Sequence, residues 1–295
     1  LTMAEHLCRV SCPAQYYLFD QLELEAGDRC EVIYGSEPSC GPAHNINIFT
    51  KDREVFDSIR IATYTYGDER DRRQMFKEEY PEQALAVIRH FHGVKEGELG
   101  VNSPSTVSLY DPELEPAMES MQIRGHKMVS QDEEFPQFPN NFLEAGARIG
   151  LVGGSDHSGT EEPLHFCMTG FWVDEITPEE VWQALWKRRS IAVSNGKTAL
   201  WAELEGYPMG SEVEVEGKVN IHVKTASARR IRRIYLMVDG EVLTPEIINE
   251  DRAELVLTDN PDCGYHWYVV NVETDSSFKD EISLAQSSPF FVTVK

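Results

Sequence analysis

Long apolar runs, thiolate pairs and basic charge are what this sequence has least of. No stretch approaches the roughly 18 apolar residues that a membrane-crossing helix needs, so no membrane span is expected. Six cysteines stand at Cys8, Cys12, Cys30, Cys40, Cys167 and Cys263, and none forms a C-x-x-C pair or a zinc-ribbon spacing. A structural thiolate metal site is thereby excluded. The clustering of four cysteines near the N-terminus allows one disulfide, with buried thiols as the simpler reading. Lys and Arg number 27 against 50 Asp and Glu, a formal net charge of −23. That field repels phosphate backbones and anionic lipid over most of the surface, which argues against nucleic acid as a partner. A small-molecule substrate fits better, because divalent metals in a pocket can draw an anion locally.

Repeats and low-complexity tracts are absent, and no leader pattern of charged, apolar and small residues is visible ahead of Leu1. Cytoplasmic and exported placements both stay open, as do the oligomeric state and whether the chain is a fragment.

What is present is an apolar share of 41% in 295 residues, enough for one large domain or for one medium and one small. Up to about residue 195, short apolar runs alternate with helical patterns, the texture of an α/β fold. Strands are predicted at 31–35, 45–49, 86–90, 106–110, 148–153, 166–173 and 190–194. A helix is predicted over 177–188, with Thr177 as N-cap, Pro178 in the first turn, Glu180 three residues on, and Val181, Ala184 and Leu185 as its apolar stripe. Beyond residue 200 only β-patterned segments follow, at 202–204, 218–225, 232–238, 253–257, 267–272 and 290–294, with Asp239-Gly240 among the turn signals. Short strands so spaced suggest an antiparallel sandwich, and the expected domains are 1–198 and 199–295. The acidic segment 130–141 reads as a surface connection or a cover over a site.

Histidines accompanied by a carboxylate or glycine recur at the ends of predicted strands. They are Ala4-Glu5-His6; Gly35-Ser36-Glu37 followed by His44; His90-Phe91-His92; and Gly153-Gly154-Ser155-Asp156-His157. In an α/β barrel the strand ends converge, so ligands scattered in sequence meet in space. Carboxylates with imidazoles, and no thiolate set, suit Zn, Mn or Fe at a hydrolytic site. The glycines before Asp156 are read as the means of a sharp backbone turn. Other histidines have blander readings: His126 and His165 could approach the site, whereas His222 and His266 are structural. The basic run Arg229, Arg230, Arg232 and Arg233 reads as a solvated strand face, with anion docking as the alternative.

The order of these motifs resembles the polymerase-and-histidinol-phosphatase (PHP) superfamily, and within it the carbaryl-hydrolase-like (CehA/McbA) branch. Further matches are the segments at 177–189, Ser194-Asn195-Gly196-Lys197-Thr198, 206–210 and Ser287-Ser288-Pro289-Phe290-Phe291. The resemblance implies a distorted (β/α)7 PHP-type, TIM-like barrel, followed by the small antiparallel β-sandwich. It implies His6, Glu37, His44, His90, Asp156 and His157 as metal ligands, with His92 as alternate to His90 and Glu37 as the bridging carboxylate. Glu37, Asp156 and His157 are the catalytic candidates. Roughly two to three divalent metals, Zn, Mn or Fe, would serve the complete protein. The implied activity is hydrolysis of a phosphoester or a carbamate or amide-type bond by metal-activated water. The family's opening His-x-His strand is not in this sequence, so the barrel is expected to lack its first strand and the chain alone to have weak or no activity. The different-class alternative is a non-catalytic, metal-stabilised binding or surface protein with a degenerate barrel. An amidohydrolase-type barrel would want a lysine at a strand end, and no expected strand offers one.

Overall fold

The computed structural model describes residues 2–6, 33–37, 46–65, 69–89, 110–122, 125–126, 138–154, 167–194, 197–275 and 282–295. They fall into two compact units, Leu1–Pro116 with Val173–Trp186, and Ala117–Trp172 with Lys187–Lys295. The described helices are α1 (Arg53–Thr65), α2 (Glu69–Glu79), α3 (Phe138–Glu144) and α4 (Pro178–Trp186). Among the described residues, none of these is long and apolar enough to cross a membrane.

In the first unit, β1 (Thr2–His6) runs parallel to β2 (Ile33–Glu37). Next come β3 (Ile46–Thr50), antiparallel to β2, and β4 (Ala86–Arg89), antiparallel to β3. Helix α1 starts where Asp52 caps it, its Oδ1 accepting from the amides of Glu54 at 2.7 Å and Val55 at 3.2 Å. One turn on, Phe56 and Ile59 share a face and are buried, and Phe56 lies 5.6 Å from the Tyr34 ring. Met75 and Phe76 of α2 join Ile48, Ile59, Leu85, Val87 and Leu114 in one apolar cluster. Helix α4 is capped as the sequence indicates, Thr177 Oγ1 accepting from the Glu180 amide at 3.2 Å. It buries Trp182, Ala184 and Leu185, and the Trp182 indole donates to the Gln83 carbonyl at 2.9 Å.

The second unit opens with β5 (Ala117–Gln122), paired antiparallel with β6 (Gly125–His126) and parallel with β7 (Gly150–Gly153). The larger sheet then begins with β8 (Met168–Phe171), β9 (Ser190–Val193), β10 (Thr198–Leu204), β11 (Tyr207–Pro208) and β12 (Glu212–Val215). It continues through β13 (Val219–Val238), β14 (Glu241–Val242), β15 (Glu246–Asp259), β16 (Gly264–Asp275), β17 (Ile282–Ser287) and β18 (Phe290–Val294). Its main path is β11-β10-β13-β16-β17-β9-β8, with β14 and β15 on β13 and β18 joining β12 to β16. The long β13 pairs with β10 through Ile221 to Ser227 and with β16 through Ile231 to Val238. Register shifts against β15 between Ala226 and Ile231 mark the irregularity at which one strand changes neighbours. Asp239 and Gly240 both have positive φ, 48° and 86°, which closes the β13/β14 hairpin on two residues. Alternate residues of β10 and β13, Leu200, Ala202, Leu204, Val219, Ile221 and Val223, point into a core shared with Val270, Val272, Phe290 and Val292.

The expectation of a distorted (β/α)7, TIM-like PHP barrel is corrected by this arrangement. Such a barrel needs parallel strands that alternate with helices. Among the described residues strands outnumber helices heavily, pairing is mostly antiparallel, and the sheets curl without forming that barrel. The reason is specific. The apolar runs read as barrel strands at 166–173 and 190–194 are β8 and β9, which pair antiparallel with each other, while β9 pairs antiparallel with β17. Short apolar runs signal burial, but not the direction of the partner. The β-patterned segments after residue 198 do fall on strands, although 218–225 and 232–238 are parts of one strand.

Candidate active site

The register of β1 and β2 sets Thr2 opposite Ile33 and ends with His6 opposite Glu37. Parallel neighbours lie about 4.8 Å apart, so an imidazole-bearing and a carboxylate-bearing position stand side by side where both strands finish. The other proposed ligands, His44, His90, Asp156 and His157, and the alternate His92, lie outside the described residues. Among the described residues no group of three or more metal-ligating side chains gathers.

Two strands lead to those positions. In the first unit β4 ends at Arg89, the residue before His90, and Arg89 is held by a buried carboxylate. Its Nε donates to Glu115 Oε2 at 2.6 Å and its Nη2 to Oε1 at 3.2 Å. Glu115 also accepts from Arg73 of α2 and, at 3.2 Å, from the Asp111 amide. All three charged side chains are buried, so a helix, a strand end and a turn are fixed to one anion.

In the second unit β7 leads toward Ser155-Asp156-His157. Thr169 Oγ1 accepts from the Gly153 amide at 3.0 Å and donates to the Gly153 carbonyl at 2.8 Å. The Gly154 amide donates to the Met121 carbonyl at 3.0 Å. A Cβ on Gly153 would stand 2.6 Å from the Met168 carbonyl oxygen, and one on Gly154 would overlap Glu119 Oε1. Neither has a positive φ, so crowding rather than a left-handed turn is what calls for glycine at both positions.

Glu119 was not visible as a candidate in the sequence. It is a buried carboxylate on β5, beside the backbone that leads to Asp156. Its only signal was an acidic residue inside the weakly patterned run Ala117 to Gln122, for which no strand was expected. Burial, reinforced by the Glu119 charge, pushes the Cys167 thiol up to about 12, so this cysteine stays protonated and is no nucleophile.

The remaining charged features are structural. Arg230 and Arg232 both bind Asp275, at 3.0 and 2.5 Å, and Arg233 grips Glu273 through two contacts of 2.7 Å, so these three arginines share two carboxylates of their own sheet. His222 meets Glu254 at 2.9 Å, and His266 meets Asp239 at 2.6 Å. The positions of His165 and most of segment 130–141 lie outside the described residues, and the end of that segment enters α3.

The described architecture is that of a β-rich chain of two units, with a histidine and a glutamate paired at a parallel strand end. No family model matches the chain, and no curated protein does. Similar solved structures include a lytic polysaccharide monooxygenase from Jonesia denitrificans, 15% identical over 30% of this chain and 59% of that one, with a TM-score of 0.22. Another is the fibronectin(III)-like modules of Clostridium thermocellum CbhA, 23% identical over 32% of this chain and 96% of the module, also with a TM-score of 0.22. Likeness at that level carries no argument about fold or activity.

Proposed function

We propose that the chain is a metal-dependent hydrolase acting on a phosphoester or on a carbamate or amide-type bond. The observation that carries the reading is the pairing of His6 with Glu37 at the end of adjacent parallel strands. Residues 31 apart in sequence thereby stand at neighbouring strand ends, and their types, one borderline and one hard donor, fit Zn, Mn or Fe. Sequence order adds His44, His90, Asp156 and His157 as further donors of the same two kinds. A divalent cation held by such a set would supply Lewis-acid polarisation of the scissile group and a lowered pKa for water. Glu37, Asp156 and His157 would serve as ligands, and a carboxylate or imidazole among them would hold or move a proton.

The test is metal content of the full chain purified without chelator, beside Glu37→Ala and Asp156→Ala. About one equivalent or more of Zn, Mn or Fe in the parent, lost in both variants, together with at most weak, metal-dependent turnover of an aryl phosphoester or carbamate, is the expected result. Metal retained without turnover of either ester class favours a metal-stabilised binding protein, and a metal-free parent overturns the assignment.

A further inference from the structure

We propose that the outward face of β10, β13 and β15 is a binding site for an acidic carbohydrate, one whose sugar rings carry a carboxylate. The proposal stands apart from the hydrolase reading and lies wholly within the second unit. A groove of about 660 Å³ opens on this face, floored by Ala199, Ala226 and Ala253 and bordered by Trp172, Trp201 and Arg252.

The cross-strand register explains its shape. Trp201, Lys224 and Glu254 form one row, and Ala199, Ala226 and Arg252 form the next. Two alanines between an indole and a guanidinium leave a hollow with an aromatic wall at one end and a cation at the other. With strands about 4.8 Å apart, the two ends are about 10 Å apart across the sheet, room for a sugar ring and its substituents.

Trp172 and Trp201 meet edge to face with centroids 4.8 Å apart, and the Trp172 indole is pinned by donating to the Leu200 carbonyl at 2.6 Å. The pair is half-buried and packs against the core, so the indoles are held before any ligand arrives. The face of an indole is negative and apolar, complementary to the weakly positive C–H face of a pyranose. Among the described residues the Trp201 indole N–H has no hydrogen-bond partner, which leaves a donor for a sugar hydroxyl.

Charge selects an acidic sugar over a neutral one. Lys224 is spent on Glu254 at 3.3 Å, and His222 on the same carboxylate at 2.9 Å. Arg252 is exposed and, among the described residues, makes no ion pair, so its planar fork is open to a carboxylate. Because the site lies on a sheet face and not along a strand edge, main-chain pairing with an extended peptide is unavailable to it.

The experiment titrates the full chain with trigalacturonate and, separately, with neutral cellotriose, following tryptophan fluorescence and heat. Trigalacturonate is expected to bind and cellotriose to bind at least about tenfold more weakly. Trp201→Ala should abolish the signal. Arg252→Gln, an exposed substitution that leaves the core untouched, should weaken trigalacturonate alone. Equal binding of both sugars, or an acidic-sugar affinity unmoved by Arg252→Gln, overturns the assignment, as does an absence of binding by the folded parent chain.

Discussion

Arg89 and Glu115 form a buried pair joined by two hydrogen bonds, with Arg73 on the same carboxylate. Two guanidiniums share one anion away from water. Taking the charge from Glu115 leaves two buried cations without the carboxylate between them, a situation that typically costs about 3–5 kcal/mol. Glu115→Gln should therefore lower the urea midpoint of unfolding by that amount divided by the m-value, whereas Glu113→Gln, exposed and among the described residues paired with Lys77, should leave it nearly unchanged. Equal midpoints for the two variants would show that the shared carboxylate is not what holds α2 to the end of β4.

Helix α4 offers a smaller and more local test. Thr177 presents its hydroxyl to the Glu180 amide, and its carbonyl accepts from Val181 at 3.0 Å. Thr177→Ala should cost about 1 kcal/mol, and Thr177→Ser should restore nearly all of it. A thermal melt of the three proteins separates loss of the cap from loss of the methyl group.

These two features differ in how far the sequence discloses them. The cap lies within four residues of everything it touches, so Thr177, Pro178 and Glu180 announce it, and the turn at Asp239-Gly240 is local in the same way. Glu115 collects partners from residues 73, 89 and 111, and nothing in the local pattern says that this glutamate is buried while Glu113 is not. The apolar runs at 166–173 and 190–194 hold strands as expected, but they pair antiparallel with each other and the second also with β17, an arrangement that a barrel of parallel strands does not have. Helix α1 is poorly marked in the sequence because Val55, Ile59, Ile61 and Thr63 are β-branched, which lowers helix propensity and favours strand. At the candidate site, Glu37 and His6 could be singled out as residue types at run ends, whereas their register as neighbours came only with the pairing of β1 and β2.

His266 should titrate above its ordinary value. Burial works against its protonated form, but the Asp239 carboxylate and the Asp262 carbonyl outweigh it and raise the pKa. Because the folded value lies above the unfolded one, about 6.5, this contact contributes fully below that pH and is lost as pH rises through the folded value. Asp239→Asn can keep the acceptor for the Trp267 amide, 2.9 Å from Oδ1, and tolerates the positive φ at this position while removing the charge. In an NMR titration of the His266 ring the variant should return the midpoint toward the ordinary range; an unshifted midpoint in the parent would contradict the assignment.

The glycines before Asp156 separate two kinds of crowding. At Gly153 a new methyl meets the Met168 backbone oxygen at 2.6 Å, and backbone in a paired strand cannot swing aside. At Gly154 it meets only the end of the Glu119 side chain, which can rotate. Gly153→Ala should therefore destabilise the fold by about 1–3 kcal/mol, as overpacking does, and Gly154→Ala by less. The second variant has another consequence, because displacing the Glu119 carboxylate removes a charge that helps hold the Cys167 thiol at about 12. Thiolate absorbance measured against pH in Gly154→Ala should move the Cys167 midpoint downward, and combining Gly154→Ala with Glu119→Gln should move it no further. An unchanged midpoint with an unchanged melt would mean that the carboxylate and the added methyl coexist, and that Gly154 is not reserved for Glu119.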